Sequence, residues 1–318
     1  MIKIETIIVG GGPAGSSCAR ELIKARRDVL ILDKSDFPRL KPCAGWITPA
    51  VFRDLQTKPA SYPHLIRPVN RMIFSIFGKK FPLKTRQYGV RRIEFDEWLL
   101  NRSEAPVRRH AVKDIRIEND EYIIDDTYRC KYLVGAGGTH CPVYEHFFAE
   151  IDPRDPVRRI ITMEEEFSYD YTDDRCYLWF MENGLPGYSW YFPKGNGYVN
   201  VGIGAKYEVL KSRNESIHQH WARLVTKLER LNLIIGYGFH PRGYTYYIRQ
   251  KIRYPRIGNA LITGDAAALA TRDMGEGIGP AIKSGILAAR SIIHNTPYRL
   301  SAVNTYSLPG LIFPGKRI

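Results

Sequence analysis

Three kinds of residue in this sequence are spaced for chemistry. They are glycines that open turns, carboxylates set at the ends of apolar runs, and a cysteine, Cys43, inside the basic, proline-marked loop "FPRLKPCAGW". In "TIIVGGGPAGSSCARELIKARRDVLILDK" the apolar run Ile7–Val9 leads into Gly10-x-Gly12-x-x-Gly15 and then into apolar residues at helical spacing, Ala14, Cys18 and Leu22 with Ala19 and Ile23. Gly10 permits the tight turn and Gly12 lets the backbone approach a pyrophosphate. Pro13 and Ala14 open the helix, and Gly15 lets helix and strand pack closely. Asp33 follows Gly15 by 18 residues, at the end of the buried run Val29–Leu32 and beside Lys34. A carboxylate there accepts hydrogen bonds from an adenosine ribose, so the segment predicts dinucleotide binding.

A second constellation lies far along the chain. "RIGNALITGDAAALATRDMGEGIGPAIKSGILAA" reads as a strand, Ala260–Thr263, ending in Gly264-Asp265, then a loop, then Gly275-Glu276-Gly277-Ile278-Gly279 opening an alanine-rich helix. A carboxylate at Asp265 suits the hydroxyls of a ribityl chain, and free amides near Gly275, Gly277 and Ile278 suit negative charge on a reduced flavin ring. Alone this is an ordinary βα unit. With the first segment it resembles the second flavin fingerprint of the p-hydroxybenzoate hydroxylase-like flavoproteins, which implies FAD rather than NAD as the bound dinucleotide.

The elements that must position these groups follow from pattern. The chain has 318 residues, 44% of them hydrophobic, enough for two domains with substantial cores. Its five cysteines are scattered and form no metal-ligand spacing, which predicts a reducing, cytoplasmic setting and no metal. No apolar run approaches about 18 residues and no leader pattern precedes the first strand, so a soluble, unprocessed chain is expected. The formal charge of +14 admits a merely solubilising basic surface, an anionic membrane surface, to which a peripheral contact is open, or a phosphate-bearing ligand. Nucleic acid is not expected, because no Lys/Arg run or binding signature accompanies the charge.

Four further segments resemble the geranylgeranyl reductase family of that flavoprotein superfamily. "FPRLKPCAGW" resembles the family's loop leading to Cys-Gly-Gly, with Cys43 in the cysteine position. "VRRIEFDEWL" matches R-x-x-F-D-x-x-L through Arg92, Phe95, Asp96 and Leu99, and "GYSWYFPKGNGYVNVGIG" matches a Y-x-W-x-F-P hairpin through Tyr188, Trp190, Phe192 and Pro193. "KYLVGAGGTHCPV" stands where a G-A-D-G segment is usual, with Gly137 in place of the acid. Ala268 and Arg272 depart from the usual Gly and Pro, and the segment after the last helix is short, ending in "LPGLIFPGKRI". The resemblance implies that Arg92 belongs to the cofactor site, that Tyr188, Trp190 and Phe192 line a lipid cavity, and that Cys43 lies beside flavin and substrate. In a strand those aromatics share one face, which by itself is equally ordinary sheet packing.

The implied fold is α/β: a discontinuous Rossmann-like FAD-binding domain of the GR2 type, with an inserted antiparallel-sheet substrate domain. Residues 1–64, 88–149 and 246–318 are expected in the first, and 65–87 and 150–245 in the second. A candidate hairpin lies in "RMIFSIFGKKFPLKT", a turn at Lys194-Gly195-Asn196-Gly197, and a helix over Ser216–Leu231 with Trp221, Leu224, Leu228 and Leu231 on one stripe. The preferred reading is an FAD enzyme that reduces carbon–carbon double bonds of an isoprenoid or related lipid, with Cys43 as the catalytic residue. Since only one complete G-x-G-x-x-G unit occurs, electrons are expected from docked NAD(P)H or a redox protein. The Gly137 departure puts rapid reduction by NADPH in doubt. An aromatic monooxygenase or halogenase is one alternative, weakened by the missing W-x-W-x-I-P lysine setting. A non-catalytic flavin protein that binds lipid or relays electrons is another.

Overall fold

A computed structural model describes residues 1–312; the end of "LPGLIFPGKRI" and of the segment 246–318 lies outside the described residues. The chain begins β1 (Ile2–Val9), α1 (Pro13–Lys24), β2 (Val29–Asp33), β3 (Trp46–Ile47), α2 (Pro49–Asp54), β4 (Arg67–Ile76), β5 (Lys79–Gly89) and α3 (Arg92–Ser103). Four strands follow: β6 (Val107–Arg109), β7 (Ile115–Glu118), β8 (Glu121–Ile124) and β9 (Tyr128–Gly135). Next come α4 (Pro142–Phe147), β10 (Arg159–Ser168), β11 (Cys176–Phe180), β12 (Gly187–Gly195), β13 (Tyr198–Lys206), α5 (Tyr207–Ser212) and α6 (Ile217–Arg230). The last elements are β14 (Arg242–Tyr247), β15 (Arg256–Ile257), β16 (Ala260–Ile262), α7 (Ile278–His294) and α8 (Leu308–Ile312).

The first sheet has the order β15-β16-β9-β1-β2-β6, with β16, β9, β1, β2 and β6 parallel and the β7–β8 hairpin beside β9. Its central strands are short apolar runs, Ile7 and Ile8, Val29 to Leu32, Leu133 and Val134, buried because helices cover the sheet. This is the doubly covered α/β layer that the first glycine turn requires.

The second sheet has the order β14-β10-β13-β12-β11-β4-β5-β3 and is antiparallel except where β11 runs parallel to β4. Segments far apart in sequence build it: the short strand Trp46–Ile47, the hairpin β4–β5 and the run β10–β14. One face is covered by α6, whose Trp221, Leu224 and Leu228 are buried against Val199, Val201 and Tyr191. Ser216 caps that helix and forms a reciprocal capping box with Gln219, so the helix begins where its pattern predicts. The expected four-residue turn differs. β12 extends through Lys194 to Gly195, with a register shift between Pro193 and Gly195. Pro193 has no N–H for the ladder, and Lys194 stays on the inward face of Tyr188, Trp190 and Phe192, where it is 2% exposed.

Candidate active site

The two glycine turns meet. Gly10 has φ +109°, and a Cβ there would sit 2.4 Å from the Ala136 carbonyl oxygen; a Cβ on Gly15 would sit 1.9 Å from the Gly10 oxygen. Helix α1 therefore starts pressed onto the β1 turn, with no side chain capping its N-terminus. Helix α7 starts at Gly277, also uncapped, and its Gly285 approaches α1 so closely that a Cβ would meet the Ala14 oxygen at 2.1 Å. Both helix starts open on one cavity of about 830 Å³, at the upper end of the roughly 300–1,000 Å³ common for ligand sites.

Their N–H groups and positive dipole ends suit anionic groups, and the region around Gly12 is open apart from the Arg39 guanidinium, 3.3 Å from where a Cβ would lie. Asp33 accepts hydrogen bonds from the Gly11 N–H (2.7 Å) and the Ser35 N–H (2.9 Å), which fixes its carboxylate at the cavity wall. Asp265 accepts from the Tyr244 hydroxyl at 3.3 Å. An uncapped helix start beside one acid at one end, and a second uncapped helix start beside another acid at the other, fit FAD laid across both turns.

Cys43 is half-buried on the same wall, its sulfur accepting from the Gly45 N–H at 3.3 Å. The Arg92 guanidinium lies near that sulfur and makes a bidentate pair with the fully buried Asp96, at 2.7 and 2.8 Å. Burial opposes the Arg92 charge, but the Asp96 carboxylate and Cys43 together more than offset this and hold it ionised. The Lys194 ammonium donates to the Ala44 carbonyl and, at 2.9 Å, to the Val90 carbonyl, which pins the Cys43 loop to the start of α3. Lys41 lies 2.9 Å over the Tyr244 ring. It is half-buried by surface area because it faces the open cavity, and loss of hydration lowers its pKa to about 8 against the pull of Asp265.

The cavity's other side is the face of the second sheet away from α6. Register places Glu164, Gly202 and Trp190 side by side across β10, β13 and β12, and Thr162, Gly204 and Tyr188 in the next row. The two glycines leave a trough between the aromatics of β12 and Tyr244 and Tyr246 of β14. The Trp190 indole fills part of it: a Cβ on Gly202 would lie 2.2 Å from Trp190 Cζ2 and 2.7 Å from Glu164 Cβ. Glu164 is 5% exposed and has no hydrogen-bond or ion-pair partner among the described residues. Burial raises its pKa to about 8 despite Lys194, Arg92 and Lys41 nearby. Glu276, beside Gly277, is pushed up to about 7 by burial and by Asp273.

The cavity brings together Gly10, Gly12, Pro13, Ala14, Asp33, Lys34, Cys43, Arg92, Tyr188, Trp190, Gly264, Asp265, Gly275, Gly277 and Ile278. Two expected site residues do not line it. Gly15 lies behind the turn in its packing role. Phe192 is on the expected face, but at 2% exposure its ring packs on Gly89 below Lys194, one row beyond the cavity's end. Sequence reasoning missed Glu164, Lys41, Tyr244 and Tyr246. The signal for Glu164 was the acidic run Glu164-Glu165-Glu166 inside an otherwise strand-like segment, since alternation must turn some of those carboxylates inward.

Residues 158–236 match the family model of the geranylgeranyl reductase catalytic domain, and residues 8–41 match that of the NAD(P)-binding Rossmann-like domain. An uncharacterized protein of Methanosarcina barkeri is 31% identical over 310 residues, spanning 92% of this chain and 75% of that protein. The menaquinone reductase of Mycobacterium tuberculosis is 28% identical over 314 residues, 90% of this chain and 75% of that one. Among solved structures, a geranylgeranyl bacteriochlorophyll reductase-like protein of Thermoplasma acidophilum superposes with a TM-score of 0.79 at 21% identity, over 93% of this chain and 81% of that one. At that identity the likeness concerns the fold.

Proposed function

The chain belongs to the geranylgeranyl reductase family of FAD-dependent oxidoreductases, and from that premise we propose that it reduces carbon–carbon double bonds of an isoprenoid or related lipid. The observation that carries this reading is the trough over Gly204, walled by Tyr188, Trp190 and Tyr246, in the same cavity as Cys43 and the start of α7. A flexible polyprenyl chain packs well against such aromatic walls.

Gly12, Ala14 and Arg39 would hold the FAD pyrophosphate, Asp33 the adenosine ribose, and Asp265 the ribityl hydroxyls; the amides at Gly277 and Ile278 would face the ring. When bound and reduced, FAD supplies a hydride to one carbon of the double bond. The second carbon then takes a proton, and two side chains of this chain stand at the cavity to supply it. The Cys43 thiol accepts from the Gly45 N–H, with the Arg92 charge nearby. The Glu164 carboxyl keeps its proton up to about pH 8 because burial disfavours the carboxylate. The aromatic walls orient the alkene and exclude water. Electrons come from NAD(P)H docked transiently or from a redox protein.

The test is anaerobic incubation of the chemically reduced holoenzyme with a polyprenyl lipid, followed by mass spectrometry. Addition of hydrogen pairs to the lipid with matched reoxidation of the flavin is the expected result. A lipid of unchanged mass, across phospholipid, diphosphate and quinone forms, sinks the reading.

A further inference from the structure

From residue 55 to residue 93 the sequence contains nine Lys or Arg residues and no Asp or Glu. The hairpin β4–β5 occupies the middle of this stretch. Its tip exposes Ile76 (37%), Phe77 (73%) and Phe81 (50%), beside the exposed Lys79, Lys80 and Lys84. β11 runs parallel to β4 with Phe180 opposite Ile76, so the next residue, Met181, emerges at the same end of the sheet and is 47% exposed. Large apolar side chains thus cluster at one edge. None of Arg71, Lys79, Lys80, Lys84 and Arg86 has an ion-pair partner among the described residues.

We propose that this tip docks the protein onto an anionic phospholipid bilayer, with Phe77, Phe81, Ile76 and Met181 entering the interface and the unpaired cations meeting the headgroups. Apolar anchors ringed by cations are the chemistry of interfacial binding, in which burial and attraction to anionic lipid add. An unpartnered apolar edge alone would equally suit a second copy, but two such edges would bring like charges together. Of the anchors, Ile76 and Phe81 lie on the cavity's face of the sheet, in register with Phe180 and Phe74. Ring centroids run from Phe74 to Phe180 at 5.4 Å, from Phe180 to Tyr188 at 5.1 Å and from Tyr188 to Trp190 at 5.7 Å. An apolar lane therefore joins the tip to the trough. Docking stands independently of the reduction reading; only delivery of lipid along the lane rests on it.

The experiment is flotation of the FAD-loaded protein with vesicles of phosphatidylcholine alone and of phosphatidylcholine with added phosphatidylglycerol. Binding to the anionic vesicles that weakens with added salt is expected. Lys79→Gln and Lys80→Gln should each weaken it about fivefold, and Phe77→Ser with Phe81→Ser should abolish it. FAD content and melting temperature report that the variants are folded, and neither readout involves turnover. Binding equal for both vesicle types, binding unchanged by the hairpin variants, or no binding at all overturns the proposal. So does a dimer, seen by light scattering, that the same substitutions dissociate.

Discussion

The Lys194 ammonium donates a 2.9 Å hydrogen bond to the carbonyl of Val90, joining the end of β12 to the residue that precedes α3. The same ammonium satisfies the Ala44 carbonyl, so one buried cation holds the loop that presents Cys43. Lys194→Met keeps the apolar stem and leaves both carbonyls unpaired, at a cost of about 1–3 kcal/mol for each buried group. The expected outcome is a lower melting temperature and slower lipid turnover with FAD content retained. Unchanged turnover would mean that the loop is positioned by other contacts.

Gly12→Val should deplete bound FAD at least about tenfold, because a branched side chain occupies the space by which the backbone would approach the pyrophosphate. The flavin absorbance per protein in the purified variant checks it. Gly15→Ala should instead unfold the turn, since its Cβ meets the Gly10 carbonyl at 1.9 Å. A Gly12→Val protein with full FAD content would remove this turn from the cofactor site.

Cys43→Ala should retain FAD and thermal stability while losing most double-bond reduction, and Cys43→Ser should recover part of it. Turnover is measured with pre-reduced enzyme, which bypasses the electron donor. Undiminished turnover in Cys43→Ala would leave this thiol a packing residue and Glu164 the remaining proton source.

Glu164 gives a pH signature. Its folded pKa of about 8 lies above its ordinary 4.5, so between those values the folded state binds a proton that the unfolded state has released. Stability from this group is fully present below pH 4.5 and is lost as pH rises through 8. Glu276 acts in the same direction, up to about 7, so the test is a difference between proteins. Glu164→Gln should melt higher than the parent at pH 8 and lose that advantage near pH 4.5, with about 2–4 °C for each kcal/mol. If the carboxyl supplies the proton, the variant also loses turnover and the alkaline limb of its pH–rate profile. Parallel melting curves across the range would contradict its burial as an acid.

Gly204→Ala should leave FAD binding intact and shift preference toward shorter or narrower lipids, because its Cβ would stand in the trough 3.3 Å from Thr162 Cγ2. Gly202→Ala should destabilise by roughly 1–3 kcal/mol as the displaced Trp190 indole overpacks its surroundings. Competition among lipids of graded length reads the first effect, and an unaltered length profile would exclude Gly204 from the channel.

Local chemistry made part of this site readable from sequence. Gly10, Gly12, Gly15 and Asp33 lie within one strand–turn–helix–strand unit, where each residue type answers a nearby backbone demand. The alternation of Tyr188, Trp190 and Phe192 gave their common face, yet not where the cavity stops, which depends on Gly89 and Lys194 packing over Phe192. Glu164 was obscured because its inward position depends on the register of β10 against β13, set by residues some 40 positions away. Lys194 read as a turn residue because Gly195-Asn196-Gly197 follows it, although alternation from Tyr188, Trp190 and Phe192 carries one residue further and puts it on their face.

The contact of Gly285 with the Ala14 backbone bears on how the protein is made. The phosphate turn leaves the ribosome early, while its partner helix α7 begins only at Ile278. During synthesis the nascent turn is half a cradle, with one helix start and no second one behind it. Capture of the dinucleotide thus waits for α7, and a chain truncated before α7 would be released without its cofactor and with the α1 face bare for proteolytic clearance.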